Sequence, residues 1–73
     1  MNVDGLAFKK ARVKRLMTQS FLSRTSGVSP NTIKKIETGQ TRKLDVIRKV
    51  LTAMNMSVKE AFETHMLFFD NQS

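Results

Sequence analysis

The sequence predicts an all-α domain of five helices, and three observations support this fold class. Apolar residues recur at spacings of three and four along most of the chain, and no strand-like alternation is sustained. Serine, glycine and proline stand between these segments, where helices begin and end. Residues 18–39 then contain two short helical segments joined by a tight turn, which is typical of a helix-turn-helix. We therefore expect a single domain over residues 1–73.

The first two helices are predicted from capping residues and a shared side. Asp4 can act as an N-cap, and a helix from about Asp4 to Arg15 places Phe8, Ala11 and Arg12 on one side. Thr18 is the N-cap candidate for the second helix.

The turn between the second and third helices carries clear local signals. Gly27 suits the left-handed backbone that often follows a helix. Ser29 suits an N-cap, and Pro30 suits the first helical position, where no backbone donor is needed. Gly39 is a second stop signal, so the helix-turn-helix is expected to span residues 18–38.

The last two helices are predicted from apolar periodicity. The fourth runs from about Leu44 to Met54, and its expected core stripe is Leu44, Ile47, Val50, Leu51 and Met54. Ser57 is the N-cap of the fifth helix. The apolar side of that helix is expected to carry Val58, Ala61, Phe62, His65, Met66 and Phe69. Three methionines are expected to fill gaps in the core: Met54, Met56 and Met66.

The third helix has one apolar side and one basic side. At ~100° per residue, Ile33 and Ile36 define its buried side. The opposite side carries no acid and consists of Asn31, Lys34, Lys35 and Thr38. Asparagine pairs with an adenine edge, lysine reaches guanine acceptors or phosphates, and Pro30 at the border can touch a thymine methyl. This pattern favours a helix that enters the major groove of double-stranded DNA; a helical hairpin that touches no DNA is the alternative.

The positive charge is concentrated in the first two thirds of the chain. The formal net charge is +7, and residues 1–49 carry twelve Lys and Arg against three acidic residues. Residues 50–73 carry one Lys against three acidic residues. This asymmetry indicates a polyanion on one side of the domain and a different contact on the other. The polar, basic linker 39–43 is a candidate for phosphate contacts.

Composition argues against several other classes of protein. The chain has no Cys, which excludes disulfides and thiolate metal sites and fits a reducing cytosol. With one His, His65, and scattered carboxylates, we expect no enzyme activity, no cofactor and no metal. No apolar run approaches the ~20 residues of a membrane span, and the N-terminus lacks the apolar region of a signal peptide. We therefore expect a cytoplasmic protein with no membrane contact.

Taken together, these residues resemble the Cro/C1-type (XRE) helix-turn-helix family of phage repressors and small bacterial transcriptional regulators. The resemblance covers roughly residues 5–63. It rests on Gly5, Phe8, Ala11, Arg12, Thr18, Gln19, Leu22, residues 26–29, Thr32, Ile33, Ile36, Glu37, Gly39 and the apolar pattern of residues 44–57. It implies a compact, lambda-repressor-like domain of five helices that binds operator DNA, usually as a dimer, at the bacterial nucleoid.

The resemblance also implies roles for individual residues. The base-facing positions are Pro30, Asn31, Lys34 and Lys35. The phosphate-facing positions are Gln19, Thr32, Thr41, Arg42 and Lys43, and Gln19 is also expected to support the recognition helix. Arg12 and Glu37 match a structural ion pair between the first helix and the end of the third.

Three positions depart from the family pattern. Leu16 stands where Gly or Asn is common in the turn before the second helix. Ser23 replaces a small Ala, which is a tolerable change. Pro30 replaces a polar residue that often contacts a base, so direct recognition is expected to depend on Asn31 and the lysines.

The C-terminal helix and apolar tail, residues 57–73, hold more apolar side chains than one short helix can bury. We expect a symmetric homodimer through this region, with the interface candidates Val58, Phe62, Met66, Leu67, Phe68 and Phe69. The alternative is that these residues fold back over the core of a monomer.

The sequence thus predicts a sequence-specific DNA-binding transcriptional regulator. Repression at a pseudo-palindromic operator is the expected outcome, because a bound dimer can block polymerase. Two alternatives stay open: a controller-type activator, and an antitoxin-like regulator whose tail binds a different protein.

Overall fold

A computed structural model describes residues 1–41 and 43–69 of the chain. Five helices and two short strands follow in the order β1 (Asn2–Val3), α1 (Gly5–Lys14), α2 (Gln19–Ser26), α3 (Pro30–Glu37), α4 (Leu44–Ala53), α5 (Val58–Glu63) and β2 (Leu67–Phe68). The all-α prediction is confirmed, with one addition. The strands β1 and β2 pair antiparallel, with Val3 opposite Leu67, so the two ends of the described chain meet.

Four of the helices begin at the residues expected to cap them. The side chains of Asp4, Thr18, Ser29 and Ser57 each accept a hydrogen bond from the backbone N–H three residues later. Pro30 occupies the first position of α3, where it leaves no donor unpaired. The exception is α4, because its N-cap, Lys43, makes no side-chain capping bond.

Every helix in the described segments ends at a residue with a left-handed backbone: Leu16, Gly27, Gly39, Asn55 and His65, with φ between 59° and 75°. After α1, α3 and α4, the next residue also donates to the carbonyl five positions back, which completes a Schellman motif. The two glycines were expected from the sequence. Leu16 and His65 adopt the same conformation at a steric cost that glycine does not incur.

The left-handed turn at His65 corrects the expected length of the last helix. Instead of continuing to Phe69, α5 ends at Glu63, and the chain turns back into β2. The Asp4 N–H then donates to the Met66 carbonyl at 2.7 Å, next to the pairing of the two strands. As a result His65 is exposed, and Met66 and Leu67 are drawn into the core.

The core lies where the helix-turn-helix meets α1, α4 and the strand pair. In it α3 packs against both α1 and α2, and α4 packs against α2. The largest fully buried side chains are Phe8, Leu22, Ile33, Ile36, Ile47, Val50, Leu51, Met54 and Leu67. All three methionines expected to fill the core are buried. Leu44 is a correction, since it lies at the border of the α4 stripe and is 40% exposed.

The closest approach between helices joins the start of α1 to the end of α3. A Cβ placed on Gly5 would lie 2.5 Å from the carbonyl carbon of Glu37, closer still to its oxygen, and 2.9 Å from the Ile36 oxygen. Only a residue without a side chain fits there, because backbone atoms cannot swing aside. The positive end of the α1 dipole therefore meets the negative end of α3.

A buried ion pair reinforces this junction. Arg12 Nε donates to Glu37 Oε2 at 2.6 Å, Arg12 Nη2 to Glu37 Oε1 at 3.3 Å, and Arg12 Nη1 to the Met17 carbonyl at 2.7 Å. The two side chains are 9% and 6% exposed. From α2, Gln19 Nε2 donates to Glu37 Oε1 at 3.0 Å. One carboxylate thus fixes three helices, as expected for a structural pair.

Gly5→Ala is expected to destabilise the domain although alanine usually favours a helix. Forcing a methyl group against the α3 backbone is expected to lower the free energy of unfolding by about 1–3 kcal/mol in urea denaturation. Gly27→Ala is the control, because a Cβ there meets nothing within 4 Å and only the left-handed backbone is penalised. The junction would be less tight than described if Gly5→Ala proved neutral or stabilising.

Leu16→Gly is expected to stabilise the domain. Leu16 is 94% exposed and has a φ of 59°, so glycine relieves strain without removing buried surface. After the extra freedom of glycine in the unfolded chain is subtracted, the gain is expected to be ~0.5–1 kcal/mol. Thermal unfolding followed by circular dichroism measures it. The matched control is Leu6→Gly, an exposed leucine inside α1, which should lower the stability by a similar amount.

Candidate nucleic-acid interface

The candidate recognition surface is the outer side of α3. Its Pro30, Asn31, Lys34 and Lys35 are all exposed, whereas Ile33 and Ile36 on the opposite side have no exposed surface. Thr38, the C-cap, is exposed next to them, and its hydroxyl donates to the carbonyls of the last turn. This surface, which we call the α3 face, holds two cations, one amide and no carboxylate.

The α3 face is held in place from its buried side. Thr32 lies at the border, half-buried, with its hydroxyl 2.9 Å from that of Ser29. Glu37 points inward and is bound by Arg12 and Gln19. The polar groups on this side are therefore satisfied within the chain, and those on the outer side are available to a ligand.

Gln19 connects α2 to this arrangement. It is the first residue of α2, half-buried, and its amide nitrogen is committed to Glu37. This contact joins the start of α2 to the end of α3. The phosphate contact of Gln19 stays a prediction.

A groove of about 290 Å³ lies between α3 and the start of α4. Its lining residues are Thr32, Lys35, Gln40, Thr41, Lys43 and Val46. Lys35 and Lys43 are exposed, so the groove is positively charged. Lys43 makes no side-chain capping bond to α4, so the first backbone N–H groups of that helix are left as hydrogen-bond donors at the groove.

Thr41 is more buried than its place in a polar linker suggests, with 9% of the residue exposed. Its assignment as a phosphate-facing residue stays a prediction. Its hydroxyl has no hydrogen-bond partner within residues 1–41 and 43–69. Since every fully buried side-chain N or O in those residues has a partner, the Thr41 hydroxyl is not fully buried. Thr41 therefore lines the bottom of the groove, and Gln40, which the sequence placed only in the linker, lines its exposed part. Arg42 lies outside the described residues.

The proposed dimer residues divide into two groups. Met66 and Leu67 are 2% and 1% exposed, so they belong to the core of the monomer and are withdrawn as interface candidates. Val58 and Phe62 are half-buried, while Phe68 and Phe69 are 43% and 71% exposed. The rings of Phe62 and Phe69 stack with their centroids 5.0 Å apart. We call Phe62, Phe68 and Phe69 the aromatic patch.

Other kinds of site have little support in the part of the chain that the structure describes. It contains no group of three or more His, Cys, Asp or Glu that could hold a metal ion. None of its helices is long and apolar enough to cross a membrane.

Comparison with known proteins identifies the family. A family model described as helix-turn-helix, of the Cro/C1 (XRE) type, matches residues 8–60, which include α2, α3 and the groove beside them. Comparisons with curated proteins and with solved structures gave no match. The matched residues span most of the chain, and their fold presents a basic recognition helix. The chain therefore belongs to the Cro/C1-type helix-turn-helix family and is a DNA-binding regulator of transcription.

Proposed function

We propose that the protein is a sequence-specific repressor that binds a pseudo-palindromic operator as a homodimer. The observation that carries this proposal is the α3 face, which exposes one amide and two lysines and no carboxylate. Asn31 would pair with an adenine edge in the major groove, and Lys34 and Lys35 would contact guanine acceptors or nearby phosphates. The protein would act in the bacterial cytoplasm, at the nucleoid, on bacterial or phage genes.

The groove beside α3 supplies contacts to the DNA backbone. Lys35 and Lys43 border it, the first turn of α4 offers backbone donors, and the Thr41 hydroxyl is free of partners within the described chain. A phosphate oxygen seated there would receive hydrogen bonds and charge together. Such contacts position the recognition helix without depending on base sequence.

The aromatic patch is the proposed dimer surface. Two chains of charge +7 repel one another, so they associate best where the positive charge is lowest. Residues 58–69 provide such a region, with one Lys against Glu60 and Glu63 next to the exposed aromatic rings. A two-fold axis through the patch would set two α3 faces about 34 Å apart, one helical turn of DNA.

Selection of bound duplexes from a random DNA library, at near-physiological salt, tests this function directly. We expect enrichment of an inverted repeat whose half-sites lie about one helical turn apart. Asn31→Ala should relax the base preference at one position of each half-site, at a cost of ~1–3 kcal/mol. Absence of any enriched sequence would reject specific recognition.

Lys43→Ala separates backbone contacts from base recognition within the same experiment. It should weaken all duplexes alike and reduce the slope of log affinity against log salt by about one. Lys59→Ala, on α5, removes the same charge outside the groove and should leave the slope nearly unchanged. If Asn31→Ala also weakened specific and non-specific binding equally, as is expected of Lys43→Ala, the α3 face would be wrongly assigned.

Phe69→Glu is expected to weaken self-association of the protein. Burying a carboxylate in the aromatic patch should raise the dimer dissociation constant at least tenfold, measured by sedimentation equilibrium without DNA. Leu6→Glu is the control, because Leu6 is an exposed apolar residue on α1 outside the patch. A wild-type protein that stays monomeric at micromolar concentration would reject the dimer and favour a different protein partner for the tail.

A further inference from the structure

A second groove lies away from the α3 face, between the end of α2 and the outer side of α4. Its volume is about 510 Å³, and its lining residues are Thr25, Ser26, Asp45, Arg48, Lys49, Thr52 and Ala53. None of these residues lines the groove beside α3. We call it the α2–α4 groove.

The hydroxyl groups of the α2–α4 groove are occupied by their own helices. Thr25 Oγ1 donates to the Phe21 carbonyl at 3.0 Å, and Thr52 Oγ1 donates to the Arg48 carbonyl at 2.8 Å. Ser26 Oγ accepts from the Val28 N–H at 3.2 Å. With these groups satisfied, the groove offers methyl groups, side-chain stems and the half-buried Ala53 to a ligand. Its floor therefore suits an apolar side chain.

The border of the groove is positively charged and unpaired. Arg48 and Lys49 are exposed, and the one ion pair within residues 1–41 and 43–69 joins Arg12 to Glu37, on the other side of the domain. Asp45 precedes them by about one helical turn but forms no ion pair with either. The two cations are therefore available to carboxylates from outside the chain.

We propose that the α2–α4 groove binds an acidic amphipathic segment of another protein. The partner would place an apolar side chain on the floor and carboxylates against Arg48 and Lys49, the pattern of a short helix that docks in a groove. A nucleic-acid backbone fits less well, because it carries no apolar side chain to place on the floor of the groove. The surface is separate from the α3 face, so this binding does not depend on the proposed operator recognition.

The test uses a labelled amphipathic peptide with leucines along one helical side and glutamates along the other. Binding is measured by fluorescence polarisation, and the contact surface is mapped by amide chemical shifts. We expect shifts at residues 25–26 and 45–53, and binding weakened by about tenfold in the double variant Arg48→Glu/Lys49→Glu. The control variant Lys9→Glu/Lys10→Glu changes the same charge on the exposed side of α1 and should bind the peptide almost as well.

Three outcomes would overturn the proposal. The first is equal loss of peptide binding in both charge-reversed variants, which would mean attraction to net charge alone. The second is equal or tighter binding of a companion peptide in which serines replace the leucines. The third is a loss of random-sequence duplex binding in the groove variant well beyond that in the control, which would assign Arg48 and Lys49 to nucleic acid. All four substituted residues are exposed, and far-ultraviolet circular dichroism checks that the variants fold.

Discussion

The contact between α1 and the last turn of α3 is the constraint on which the rest of the structure depends. Gly5 lets the two backbones approach, and the Glu37 carboxylate then accepts hydrogen bonds from Arg12 of α1 and Gln19 of α2. Because the pair is almost fully buried, loss of either partner would leave an uncompensated charge, which typically costs ~3–5 kcal/mol. The network therefore contributes chiefly by making other orientations of α3 unfavourable, and the direction of the α3 face follows from it.

The recognition helix packs against the core on one side and exposes polar groups on the other within very few residues. With eight residues, α3 completes about two turns. Its inner side holds two isoleucines and one paired carboxylate, and its outer side holds polar and basic groups only. The one carboxylate of α3 is thus withdrawn from its outer side. The two charges that α3 exposes, those of Lys34 and Lys35, are both positive.

Sequence reasoning succeeded where one residue determines the local geometry. Gly27, Ser29 and Pro30 specify their turn through backbone freedom, capping and ring constraint, and the α3 face followed from helical periodicity. It failed where geometry depends on distant contacts. His65 gives no signal for a left-handed turn, and the pairing of Val3 with Leu67 joins opposite ends of the chain. Because these contacts join distant residues, the fifth helix was predicted too long, and Met66 and Leu67 were predicted at the dimer interface. The burial of Thr41 likewise depends on how its loop packs.

The positive charge of the chain couples the proposed DNA-binding surface to the proposed dimer surface. Two copies of a +7 chain must overcome mutual repulsion to meet at the aromatic patch, and salt lowers that repulsion by screening. Salt weakens DNA binding for the opposite reason, because phosphate contacts release counterions. An operator that neutralised the groove beside α3 on both protomers would remove the repulsion that limits the proposed dimer. By thermodynamic linkage, DNA would then strengthen self-association by the same factor as self-association strengthens DNA binding. The dimer that the aromatic patch is proposed to form in free solution would therefore be tightened further on an operator.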